Sequence, residues 1–127
     1  MPTRATEDHC EDTIIEAAGR GGWRVHAERA ARTAAGHRTP VKGDPGWPDL
    51  VLAHDRRGAF LVVELKRHPN TVEPAQHRWL DTLDAAGVMA LVWWVPEQLD
   101  DIVEYLLDHR RRYPPAGDAR TWKDRTP

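Results

Sequence analysis

Two acidic residues and one lysine are spaced along the chain in a way that could support hydrolysis of a phosphodiester bond. Asp49 precedes the apolar run LVLA, and Glu64 and Lys66 stand at the end of the longer apolar run AFLVVELK. Side chains alternate between the two faces of a strand, so Glu64 and Lys66 project together while Leu65 points into the core. If the two runs pair through the turn at residues 55–58, the carboxylate of Asp49 reaches the same place.

Such a group could supply what phosphodiester hydrolysis needs: oxygen ligands for Mg²⁺ or Mn²⁺, an activated water and positive charge near the phosphate. Asp49, Glu64 and the backbone carbonyl of Leu65 are the predicted metal ligands. Lys66 is predicted to orient or help deprotonate the attacking water and to stabilise developing charge.

The remaining pattern predicts the elements that position these residues. Apolar spacing and breakers predict seven elements: a helix from an N-cap at Thr6 to the glycines at 19–22, strands at 23–30, 50–53 and 59–66, a helix from Pro74 to Gly87, a strand at 88–95 and a helix opened by Pro96. A hairpin followed by a strand that returns after a crossover helix implies a mixed sheet flanked by helices. The predicted fold class is therefore an α/β sandwich rather than a doubly wound fold.

The chain length suits one domain, predicted at residues 1–113, with a flexible C-terminal tail at 114–127. The arginine run at residues 110–112 either caps the negative end of the last helix or contacts DNA. A long loop at residues 32–47 leads into Asp49. Its Arg32, Arg38 and Lys42 either track phosphates or are merely solvated, and its Trp47 either packs under the site or stacks a base.

Composition limits the function classes. The 18 Lys and Arg against 20 Asp and Glu give a formal net charge of -2, so any nucleic-acid binding must depend on local patches. The single Cys10 cannot form an intramolecular disulfide, and no Cys/His cluster has zinc-finger spacing. The sequence has neither a signal-peptide pattern nor a run approaching ~18 apolar residues, so we expect a cytoplasmic protein without a membrane segment.

The motifs together resemble a known nuclease family. They are G-W-P-D at residues 46–49, E-L-K at 64–66, Gln76 with Trp79 on the next helix, and the strand that ends in VWWVP. This arrangement is similar to the VRR-NUC group of the PD-(D/E)XK nuclease superfamily, over roughly residues 6–107. The resemblance implies a restriction-endonuclease-like three-layer sandwich with an αβββαβ core.

The resemblance also implies further site residues and a substrate. The Asp and the E-x-K residues form the metal site, Gln76 lies beside it, and the first helix offers one more glutamate. Glu7 and Glu11 are both candidates, being four residues apart on one helical face, and Glu11 is preferred because it is closer to the sheet. The implied substrate is DNA, often branched or flapped, and stand-alone members of this size look like bacterial or phage proteins that act as dimers.

Two function classes follow. The first is a metal-dependent DNA endonuclease selective for branched, flap or junction DNA. The second is a non-catalytic nucleic-acid-binding or assembly module that retains the same fold. All the ligand-type residues are present, which favours the first.

Overall fold

The structure, a computed structural model, describes residues 4–28 and 42–116, with the backbone alone for residues 4–7. The elements follow in this order: α1 (Arg4–Arg20), β1 (Arg24–Ala27), β2 (Leu50–His54), β3 (Ala59–Lys66), α2 (Pro74–Ala85), β4 (Met89–Trp94) and α3 (Leu99–Leu107). The predicted order and the predicted α/β class are confirmed.

Helix α1 packs a stripe of small and aliphatic side chains against the sheet. Cys10, Ile14, Ala17 and Ala18 are buried and recur at the helical period. The predicted N-cap at Thr6 is wrong, because the helix begins at Arg4 and Thr6 lies inside it. An N-cap residue has non-helical backbone, whereas Arg and Ala before Thr6 are good helix formers and extend the helix.

The four strands form one mixed sheet in the order β1-β2-β3-β4. The first three strands pair antiparallel, and β3 pairs parallel with β4 after the crossover through α2. Strand β1 is shorter than predicted, but Val25 and Ala27 are half-buried while Arg24 and His26 are exposed, as a strand with one wet face requires. Predicted strand residues 29–30 lie outside the described part of the chain.

Helices cover both faces of the sheet. On one face, α1 and α3 enclose the larger apolar core, which includes Ile14, Leu52, Trp93 and Leu106. On the other face, α2 covers a smaller core built from five buried residues: Val72, Leu80, Ala90, Val92 and Trp94. The arrangement is therefore a three-layer sandwich, and residues 62, 64 and 66 of β3 share the face under α2 because strand side chains alternate.

Helix α3 departs from prediction at both ends. It begins at Leu99 rather than at Pro96, because residues 94–98 form a turn in which Gln98 Oε1 accepts a hydrogen bond from Trp94 N at 2.7 Å. At its other end, Arg57 Nη1 donates to the carbonyl of Tyr105 at 2.9 Å. The helix end is thus capped by the β2–β3 turn.

The predicted arginine run lies beyond that cap. Arg110 and Arg111 form ion pairs with Asp108 and Glu104. The carbonyl of Pro115, in the predicted tail, accepts a hydrogen bond from Trp93 Nε1 at 2.6 Å, and residues 117–127 lie outside the described residues. Within residues 4–28 and 42–116, every helix is too short or too polar to cross a membrane.

Candidate active site

The β2–β3 hairpin brings Asp49 and Glu64 together. Leu50 pairs with Val63 in the antiparallel register, so extending the register by one residue places Asp49 opposite Glu64. Directly opposed side chains in an antiparallel pair lie on the same face of the sheet and close to one another. Two carboxylates that are 15 residues apart in sequence therefore meet at the end of the hairpin farthest from its turn.

The backbone of β3 orients Asp49. Its Oδ2 accepts a hydrogen bond from the amide of Leu65 at 2.8 Å. A cavity of about 290 Å³ opens at this point, and seven residues line it: Asp8, Glu11, Asp49, Glu64, Leu65, Lys66 and Asn70. The predicted trio of Asp49, Glu64 and Lys66 thus lines one cavity.

Glu64 is the most buried of the three residues. It is 2% exposed, and its Oε2 accepts a hydrogen bond from Gln76 Nε2 at 2.8 Å. The Lys66 Nζ atom lies 3.6 Å from the same Oε2, which is an ion-pair distance longer than a normal hydrogen bond. The second oxygen, Oε1, is buried with no hydrogen-bond partner.

Gln76 reaches Glu64 because α2 begins close to the end of β3. Its side-chain carbonyl accepts a hydrogen bond from the amide of Glu73 at 2.9 Å, forming half of a capping box at the helix start. This contact leaves the amide NH₂ of Gln76 to donate to Glu64. Gln76 therefore joins the helix start to the buried carboxylate.

Burial dominates the electrostatics of the two acids. The pKa of Glu64 is raised to about 9, mainly by desolvation and in part by the nearby carboxylate of Asp49, while Lys66 opposes the shift. Burial also raises the pKa of Asp49, against the hydrogen bond from Leu65 and the charge of Lys66. The cavity therefore holds carboxylates at a free-energy cost that a cation between them would relieve.

The donor chemistry fits a divalent cation. The predicted set of Asp49, Glu64 and the Leu65 carbonyl supplies oxygen atoms only, which Mg²⁺ and Mn²⁺ prefer. The buried Glu64 Oε1 supplies an acceptor without a partner in the cavity lining. Within the described residues no cluster of three or more His, Cys, Asp or Glu side chains is placed to hold a metal ion, and the predicted set has only two such side chains.

Helix α1 contributes acidic residues to the cavity. Glu11 lines it, whereas the side chain of the alternative, Glu7, lies outside the described residues. Sequence reasoning missed Asp8, which also lines the cavity and stands three residues before Glu11 on the same helical face. It also missed Asn70, whose only signal is its place four residues after Lys66.

Two of the four predicted substrate-binding residues, Lys42 and Trp47, lie within the described part of the chain. Lys42 is exposed, whereas Arg32 and Arg38 lie outside the described residues. Trp47 packs edge-on against Trp79, with ring centroids 4.9 Å apart, and remains 38% exposed. Trp47 therefore packs against α2 and stays partly open to solvent, and the choice between packing and stacking a base remains a prediction.

Comparison with known proteins decides the family. The profile of the VRR-NUC domain matches residues 24–105, which is more than half of the chain. The chain belongs to the VRR-NUC family. VRR-NUC domains are nuclease-type domains, and the match spans Asp49, Glu64, Lys66 and Gln76 but begins after α1, which carries Glu11.

Solved structures support the VRR-NUC fold. A chain described as "VRR_NUC domain" superposes with a TM-score of 0.56 at 23% identity, covering 79% of this chain and 96% of that one. Another, described as "VRR_NUC domain protein", has a TM-score of 0.57 at 19% identity and covers 86% of this chain and 91% of its own. Comparison with curated proteins gives no match.

Proposed function

We propose that this VRR-NUC domain is a Mg²⁺- or Mn²⁺-dependent nuclease that hydrolyses phosphodiester bonds in DNA. The observation that carries the proposal is the convergence of Asp49, Glu64 and Lys66 on one cavity, where Glu64 Oε1 is buried without a partner. Asp49, Glu64 and the Leu65 carbonyl would hold the cation. When bound, the cation would supply an activated water and neutralise charge on the phosphate.

Side chains and backbone groups of the chain would orient the metal ligands and stabilise charge on the phosphate. The Leu65 amide and Gln76 each hold one carboxylate oxygen, which keeps Asp49 and Glu64 oriented before substrate arrives. Lys66 is 9% exposed and brings a positive charge to the cavity, where the attacking water and the phosphate would lie. Glu11, which lines the same cavity from α1, would orient a water there.

The test compares wild-type protein with Lys66→Ala and with an exposed control at the turn end of the hairpin, Arg56→Ala. We expect wild-type protein to cleave DNA with Mg²⁺ or Mn²⁺ and to stop in EDTA. Lys66→Ala should lose cleavage while still binding DNA, and Arg56→Ala should cleave normally. Equal cleavage by wild type and Lys66→Ala would contradict the mechanism, and wild-type binding without cleavage would favour a non-catalytic binding module.

We also propose that the preferred DNA is branched, flapped or a junction, as the sequence resemblance implies. A panel of single-stranded, duplex, flap and four-way junction substrates tests this, with light scattering on the same samples. Paired incision of a four-way junction needs two active sites in a symmetric dimer. Junction resolution by a protein that light scattering shows to be a monomer would contradict this requirement.

A further inference from the structure

A second cavity, which we call the α2 pocket, lies on one flank of α2. Its volume is about 390 Å³. One wall is Asp44 and Pro45, from the loop before β2, and the other is a stripe of α2: Pro74, Ala75, Arg78, Trp79 and Thr82. The lining is mainly apolar and includes one cationic side chain, Arg78, and one carboxylate, Asp44.

The two walls are held together by close backbone packing. Gly46 has a positive φ of 98°, and a Cβ atom there would lie 2.5 Å from the carbonyl carbon and oxygen of Ala75. Only glycine allows the loop to approach the helix start so closely. Trp79 Nε1 also donates to the carbonyl of Asp44 at 3.2 Å, so the pocket is formed before any ligand binds.

The α2 pocket and the candidate active site share their supports. Gln76, which binds Glu64, directly follows Ala75 of the pocket wall. Arg78 and Trp79 stand two and three residues further along α2, a rise of about 3–5 Å at helical geometry. The loop that forms the other wall continues into Asp49. A DNA strand with a phosphate in the active site would therefore bring a neighbouring nucleotide to this pocket.

The chemistry of the pocket suits a nucleotide, with its flat aromatic base inside the pocket and its phosphate outside. Trp79 offers a π surface, Pro45 and Pro74 offer rigid apolar walls, and exposed Arg78 can contact a phosphate oxygen. A base inside a duplex is stacked and paired, so it cannot enter a two-walled pocket. An unpaired base can do so at little cost.

We propose that the α2 pocket binds one unpaired nucleobase next to the scissile phosphate, with Arg78 on that nucleotide's phosphate. The inference rests on the proposed function, since it takes the substrate to be DNA. It identifies the substrate as one with an unpaired nucleotide beside the cleavage point. The enzyme would then select flaps, gaps or frayed junctions through a binding pocket as well as through overall DNA shape.

The first experiment scans an abasic position along a flap substrate that carries a fluorescent label. Stacking contacts of this kind are worth roughly 10-fold in affinity per base. We expect one abasic position beside the cleaved bond to reduce kcat/KM and affinity by about 10-fold, and other positions to have little effect. A uniform response along the strand would overturn the proposal.

The second experiment fills the pocket. Thr82→Trp places a large ring in it from an exposed helical position, and Leu107→Trp is a matched control on α3, which packs on the opposite face of the sheet. Thr82→Trp should lose about 10-fold in affinity for the intact flap and should no longer distinguish the abasic one. Leu107→Trp should behave as wild type. If Thr82→Trp keeps the abasic effect, the base lies elsewhere.

Binding measured by fluorescence anisotropy with Lys66→Ala protein separates this inference from the proposed function. Absence of cleavage by the wild-type protein, together with a position-specific abasic effect on binding, would contradict the nuclease proposal and support the pocket. Normal wild-type cleavage without any position-specific effect would do the reverse. Thermal melts of each variant show whether a loss of binding reflects unfolding.

Discussion

The two ends of the β2–β3 hairpin each carry a cluster of buried polar groups, and the two clusters differ in how well they are satisfied. At the open end, Glu64 keeps a buried oxygen without a partner. At the turn end, both ring nitrogens of His54 are bonded, one to the carbonyl of Gly21 at 2.9 Å and one to the amide of Arg57 at 3.2 Å.

Arg57 completes the turn-end cluster. Its guanidinium donates to the carbonyls of Tyr105 and Arg111 and lies over the ring of Trp23, 4.9 Å from the centroid. A buried polar cluster with every partner supplied stabilises a fold, whereas one with an unpaired acceptor destabilises it and is retained where a ligand binds. The comparison therefore separates a structural cluster from the proposed functional one within a single hairpin.

The largest expected effect is on activity at the open end. Glu64→Gln keeps the shape of the side chain and removes its charge, so we expect cleavage to fall by about 1000-fold, or about 4 kcal/mol of transition-state stabilisation. Single-turnover assays with Mg²⁺ measure this, with Glu97→Gln, which changes an exposed glutamate, as the control. Activity within a few fold of wild type would remove Glu64 from the site.

The next effect is on stability at the turn end. Arg57→Met removes charged hydrogen bonds to α3 and leaves carbonyl groups unpaired, so the free energy of unfolding should fall by about 3 kcal/mol. Arg56→Met, at the neighbouring exposed position, should change it by less than about 0.5 kcal/mol. Urea denaturation measures both. Equal effects of the two substitutions would mean that Arg57 is not a structural anchor.

A smaller effect of opposite sign is expected for the stability of Glu64→Gln in EDTA. Because the folded pKa of Glu64 is raised to about 9, above its ordinary value, ionisation disfavours the folded state. Below the ordinary pKa, Glu64 is protonated in both the folded and the unfolded state and does not lower the stability of the wild-type protein. As pH rises from there towards 9, only the unfolded state ionises, so the free energy of unfolding falls. We therefore expect Glu64→Gln to be more stable by a few kcal/mol at pH 8 and near parity at pH 4.

Thermal melts across that pH range, with Glu97→Gln as the exposed control, test this. A Glu64→Gln protein that is less stable than wild type in EDTA at pH 8 would place a structural role at the open end. Both ends of the hairpin would then carry polar clusters that stabilise the fold.

The smallest effect concerns Gln76. Gln76→Ala leaves both metal-ligand carboxylates in place but removes the hydrogen bond that orients Glu64, so we expect a loss of about 10-fold in kcat. Asp81→Ala, an exposed change on the same helix, should have no such effect. An unchanged kcat for Gln76→Ala would show that the packing around β3 alone orients Glu64.

Local patterns were enough to predict a large part of the fold. Strand β3 was predicted at residues 59–66, as the structure has it, because its apolar residues form one continuous run. Helix boundaries were harder to predict. Thr6 and Pro96 are residue types that favour a helix start, but the helices begin at Arg4 and Leu99. Good helix formers before Thr6 and the turn at residues 94–98 decided where these helices begin.

The sequence by itself determined the shared face of Glu64 and Lys66 and the place of Asp49 before β2, because strand periodicity and hairpin pairing are local properties. Only the tertiary structure decided that Asp8, Glu11 and Asn70 line the same cavity and that Arg57 caps α3. Those contacts join residues on separate elements. Their distances depend on how whole helices pack on the sheet, which no local spacing encodes.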